Sequence, residues 1–205
     1  MPGQTLTTGA FVIDKRPPSE SFQAFGLFSA ENGNLAVLHR VPRKPSASHV
    51  SLDLFDEVAA VLETSNQGRT WFVREVRISE RRTAIGKSYE SLAHASALAA
   101  VIWRNPVHEE SRPGVERLLR AALSAFAGKD RPDIIYLKSL YVFARDEGYP
   151  VREEWLPSLG AGERQLAESA IARPVEWAAV PRAQAALIRR SLEDYLRAST
   201  EIIIP

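Results

Sequence analysis

The apolar spacing of this chain changes period once, near Lys87, and that change limits the folds open to it. Before it, β-branched and aromatic residues come in short runs separated by Gly, Pro, Asn and Ser, the pattern of strands and turns. After it, Ser88-Tyr89-Glu90-Ser91 offers helix-cap residues, and Leu92, Ala95, Ala99 and Ile102 follow at helical spacing. The chain therefore reads as α+β, with a β-domain over residues 1–84 and an α-helical domain over residues 85–205.

Five strands are expected in the first part. They fall at residues 5–15, 21–29, 34–40, 52–63 and 70–77, with Pro17-Pro18-Ser19 closing off the first. Glu31-Asn32-Gly33-Asn34 tolerates positive φ, so the second and third runs form a hairpin. Asn66-Gln67-Gly68 turns the chain into the fifth run. There, Trp71, Val73, Glu75 and Arg77 are expected on one face and Phe72, Arg74, Val76 and Ile78 on the other. Five short strands within about 80 residues favour a barrel of the oligonucleotide-binding (OB) type over a sandwich, which needs more strands.

The second part reads as a bundle. Val115, Leu118, Leu119, Ala122, Leu123 and Phe126 form an apolar stripe closed by Gly128. Residues 134–147 are apolar on most sides, which places that helix in the middle, and Gly148-Tyr149-Pro150 ends it. Residues 163–172 and 182–199 complete the set.

Composition removes several kinds of chemistry. With Cys 0, disulfides, thiolate zinc sites, iron–sulfur clusters and cysteine nucleophiles are excluded. His39, His49, His94 and His108 show no metal-ligand spacing, so no metal site is expected. The common hydrolase and dinucleotide motifs do not occur. Ala84-Ile85-Gly86-Lys87-Ser88 ends like a phosphate-binding loop, but Arg81 stands where the first glycine belongs, and the fragment reads as a linker with a helix cap. No cofactor and no catalytic residue is assigned. No stretch approaches the roughly 20 apolar residues of a membrane span, and the expected location is the cytoplasm.

A net charge of +1 predicts no whole-molecule attraction to polyanions, so a nucleic-acid surface has to be local. Residues 32–52 contain no Asp or Glu but hold Arg40, Arg43 and Lys44. Lys15 and Arg16 follow the first strand, and Arg81 and Arg82 follow the fifth. Strand ends gather on a barrel rim, so these seven cations are candidate phosphate contacts. His39, Phe22, Phe25 and Trp71 are candidates for base stacking if they face outward.

The order of several segments resembles the bacterial DNA repair and recombination mediator family RecO over nearly the full chain. The resemblance is carried by Gly9-Ala10-Phe11-Val12-Ile13, by the hairpin from Gly26 to Val37, and by His39-Arg40-Val41-Pro42-Arg43-Lys44 in place of the family's basic segment. Leu92-Ala93-His94-Ala95-Ser96, the helix end at Tyr141 to Tyr149 and the closing helix at Leu187 to Leu196 continue it. Where many members carry a four-cysteine zinc module, this chain has Gly160-Ala161-Gly162-Glu163-Arg164, a form without zinc. The resemblance implies a nucleoid-associated, non-enzymatic protein. Such a protein binds single- and double-stranded DNA, anneals strands, contacts the acidic tail of single-strand-binding protein, and works with RecR to load the recombinase. For that tail the last helix offers Leu187, Ile188 and Leu192 beside Arg189, Arg190 and Arg197. The alternative is a protein-interaction module on the same scaffold that never meets DNA.

Overall fold

The computed structural model describes residues 3–42, 49–64 and 70–205. The chain is α+β and divides into two compact units, Met1–Arg82 and Thr83–Pro205. The expected boundary at residue 84 falls inside the short 3-10 turn Thr83–Lys87.

The first unit is one sheet of five strands: β1 (Thr5–Lys15), β2 (Phe22–Ser29), β3 (Gly33–Arg40), β4 (Glu57–Thr64) and β5 (Trp71–Glu80). Its order is β1-β2-β3-β5-β4, and β4 returns to pair with β1, so the sheet closes on itself. All pairings are antiparallel except β3 with β5, which run parallel and share only Val37↔Trp71 and Leu38↔Phe72. The β2–β3 hairpin turns through Ala30, Glu31 and Asn32, and Gly33 at φ 69° supplies the left-handed residue opposite Ser29. Ala10, Val12, Phe25, Leu27, Val37, Val58, Ala60 and Leu62 point inward as the core.

Two expectations about this sheet are corrected. Residues 52–56 are not strand: Leu52 and Phe55 are buried in a turn, Phe55 at φ 70°, and β4 begins only at Glu57. The turn is held by the buried Asp56 carboxylate, which accepts from Asp53 N at 2.9 Å and from Arg81. The strict alternation expected along β5 also fails. Leu62 faces Val73 and Val61 faces Glu75, which leaves Arg74 as an extra residue in a β-bulge. The inward set is therefore Trp71 and Val73, then Val76 and Ile78.

The second unit contains α1 (Tyr89–Arg104), α2 (Arg112–Gly128), α3 (Pro132–Asp146), α4 (Leu156–Ser158), α5 (Ala161–Ala172) and α6 (Arg182–Ser199). Ser88 caps α1 by accepting from Ser91 N. α3 is buried on most sides and packs against α1, α2, α5 and α6, which explains its nearly all-round apolar sequence. Gly148 at φ 89° lets the chain leave α3. Val151–Trp155, which no apolar periodicity marks as an element, is a π-helical turn that inserts Trp155 into the core with its indole N–H donating to Ser191 Oγ at 3.2 Å. Among the described residues, no helix is long and apolar enough to cross a membrane.

Candidate nucleic-acid interface

The register places the described candidate cations Lys15, Arg16, Arg40, Arg81 and Arg82 toward one end of the sheet. β1 ends where Lys15 pairs with Phe25, β2 begins and β3 ends where Phe22 pairs with Arg40, and β4 begins where Glu57 pairs with both Phe11 and Glu80. Carboxylates gather at the same end. Lys15 Nζ lies 2.8 Å from Asp53, Arg16 lies 2.7 Å from Asp14, and Arg81 holds Asp56 at 2.7 Å while also donating to Ser51 O. Burial works to raise the Asp53 carboxyl. The bond from Lys15 and the neighbouring Arg81 outweigh it, so Asp53 lies below its ordinary value.

Arg82 is a correction to the expected set. It is only 5% exposed, donates to Glu57 at 3.1 Å, to Glu80 at 2.5 Å and to Phe55 O, and lies 5.6 Å over the Phe11 ring. A guanidinium enclosed in this way holds the sheet together and cannot reach a phosphate. Arg40 is the opposite case: it is exposed at the end of β3 and forms no ion pair among the described residues. Arg43 and Lys44 lie outside the described residues.

The aromatic candidates separate by face. Phe25 is buried in the core, and Trp71 packs against that core. Phe22 belongs to the outward phase of β2 and meets Phe72 of β5 edge to face, with ring centroids 5.6 Å apart. Phe72 was not among the sequence candidates, because the Phe22–Phe72 pair depends on a β3–β5 contact that no local pattern announces. Leu38 pairs with Ala24 on one side and Phe72 on the other, so Phe22, Ala24, Leu38 and Phe72 form a half-buried outer patch ending at Arg40.

The β3–β5 pairing stops after Leu38 and Phe72 although both strands continue, and a cleft occupies the space beyond it. Its walls are His39, Arg40, His49, Val50, Val73, Arg74, Glu75 and Val76. A second cleft, lined by Ser21, Val41 and Pro42, shares Arg40 and His49 with the first. The His39 and His49 rings stack with centroids 4.9 Å apart, and neither ring makes a hydrogen bond among the described residues. Burial, and then the neighbouring His49, hold the His39 imidazole below its ordinary value. Arg74 is paired with Glu63 of β4.

The partner-binding candidates on α6 also divide. Ile188 and Leu192 are 1% and 0% exposed and belong to the bundle core, which corrects their expected surface role, whereas Leu187 is 53% exposed. Arg189 pairs with Glu193 at 2.7 Å, and Arg190 and Arg197 both approach Asp194. Arg189, Glu193 and Arg197 line a cleft with Ala93, His94, Ala97, Tyr136 and Pro205. Burial, followed by the Glu193 carboxylate, pushes the Tyr136 hydroxyl far up. Among the described residues, no group of three or more His, Cys, Asp or Glu is arranged to hold a metal ion.

No family model matches this chain, and comparison with curated proteins finds no match either.

Proposed function

We propose that this chain is a DNA-binding accessory protein of recombination and repair. In this reading the first unit is an OB-type barrel that holds a single strand, and the helical unit docks a protein partner. The observation that carries the reading is the sheet order β1-β2-β3-β5-β4 closing on β1 with β3 parallel to β5, together with an outer β2–β3–β5 face of Phe22 and Phe72 ending at Arg40, which has no ion pair among the described residues. Barrels of this kind bind oligonucleotides on the face of strands 2 and 3. Planar rings beside a cation suit bases and phosphates of an unpaired strand. The acid-free segment 32–52 brings Arg43 and Lys44 next to Arg40 in sequence.

A strand held by its phosphates with base edges free can pair with a complement, which supports annealing and, with RecR, recombinase loading. For the acidic tail of single-strand-binding protein, the cleft lined by Arg189, Arg197 and Glu193 over Ala93 and Ala97 offers two arginines that would have to exchange their Glu193 and Asp194 partners for the tail's carboxylates. Double-stranded DNA belongs to the same proposal. Fluorescence anisotropy of a labelled oligonucleotide tests the reading: Arg40→Glu should weaken binding and leave thermal stability unchanged.

One observation favours a second reading. Lys15, Arg16, Arg81 and Arg82 are all neutralised by carboxylates, as expected of a scaffold that docks proteins rather than DNA. No oligonucleotide binding by the unaltered protein at low salt, where phosphate contacts are strongest, would select that reading.

A further inference from the structure

Among the described residues, the cleft between the end of β3 and the middle of β5 carries almost no net charge while its histidines are neutral. Arg40 and Arg74 supply the positive charges, Glu75 lines the wall beside them, and Glu63 is bonded to Arg74. Among the described residues, the only other titratable groups lining this cleft and its neighbour are His39 and His49. On the β2 side, the register partner of His39 is Gln23, which is uncharged and donates to Arg16 O. Among the described residues, protonation of the imidazole pair is therefore the change that converts a balanced cleft into a cationic one near neutral pH.

We propose that this cleft is a proton-gated phosphate site, in which a phosphate seats among Arg40, His39 and His49 and its arrival draws a proton onto the stacked imidazoles. The site rests on the nucleic-acid reading above and adds a regulation to it. Two features besides charge favour the assignment. The ring nitrogens of both histidines lack hydrogen-bond partners among the described residues, so they are available as donors once protonated. Two imidazolium rings 4.9 Å apart also repel each other, and an anion bridging them relieves that repulsion. Without the anion, burial and the neighbouring ring hold the His39 imidazole below its ordinary value. With it, both effects are opposed, so binding and protonation assist each other.

The test is the affinity of the full chain for fluorescein-labelled oligodeoxythymidylate at about pH 8 and about pH 6, at constant ionic strength. Raising one histidine pKa by about one unit on binding tightens affinity by at most about tenfold, a limit reached only below both pKa values, so a severalfold gain is expected at about pH 6. The double variant His39→Gln, His49→Gln should show a flat profile. Histidine ring proton shifts followed by NMR through the same pH range, with and without the oligonucleotide, give a reading on the unaltered protein. At least one of the two titrations should move to higher pH in the complex. Equal affinity at both pH values with unmoved ring titrations would overturn the gate and leave the nucleic-acid reading standing. Absence of binding at every pH would remove both.

Discussion

Replacing Arg82 with alanine should destabilise the first unit by about 3 kcal/mol without acting on DNA directly. Its side chain is 2% exposed and bonded to Glu57, Glu80 and Phe55 O. Breaking a buried ion pair by removing one partner costs about 3–5 kcal/mol, because the other charge stays behind undersolvated. Glu80 is half-exposed and regains water, which favours the lower end, whereas Glu57 at 20% exposure and the Phe55 carbonyl regain much less. Loss of the stem and of the contact over Phe11 adds to the cost. A change of that size shifts the folding equilibrium by roughly two orders of magnitude. Urea denaturation followed by circular dichroism measures it. Hydrogen exchange of the β1 and β4 amides confirms that the loss lies in this unit. Arg82→Met, which keeps the stem, should recover part of it. If Arg82→Ala were as stable as the parent and instead lost oligonucleotide binding, the enclosure argument would be wrong and Arg82 would be a phosphate contact.

Three further outcomes are expected. Arg40→Glu should change stability by no more than about 0.5 kcal/mol, as an exposed and unpaired side chain, while oligonucleotide affinity falls. In β5, Val76→Asp should destabilise clearly while Glu75→Ala stays within about 0.5 kcal/mol, which checks the bulge at Arg74 by urea titration. Because the folded pKa of His39 lies below its ordinary 6.5, the unfolded chain binds more protons between the two values. Stability should therefore be complete above about pH 6.5 and fall as the pH drops through 6.5 toward the folded value, and His39→Gln should remove that part of the decline in acid-range melts.

Much of the fold was legible because its signals are local. The β2–β3 hairpin follows from Asn32-Gly33 between two apolar runs, and the central place of α3 follows from its nearly continuous apolar surface. The misses have long-range causes. The bulge at Arg74 depends on how β4 meets β5, and Phe55 leaves the strand pattern because Asp56 and Arg81, 25 residues apart, fix a turn there. Asp14, Asp53, Asp56, Glu57 and Glu80 were visible as residues, but only the closed sheet brings them to the same rim as Lys15, Arg16, Arg81 and Arg82. On α6, an apolar stripe flanked by arginines marks a buried face as readily as a docking face. Ile188 and Leu192 are the buried kind and Leu187 is not.

The most direct test of the account is ultraviolet crosslinking of the full chain to an oligodeoxythymidylate, with the modified residues located by mass spectrometry. The outer β2–β3–β5 face predicts adducts at Phe22 and Phe72, lost in parallel when Arg40 is reversed to Glu. Adducts confined to the helical unit or to the β1–β4 side, or none under low salt, would contradict it.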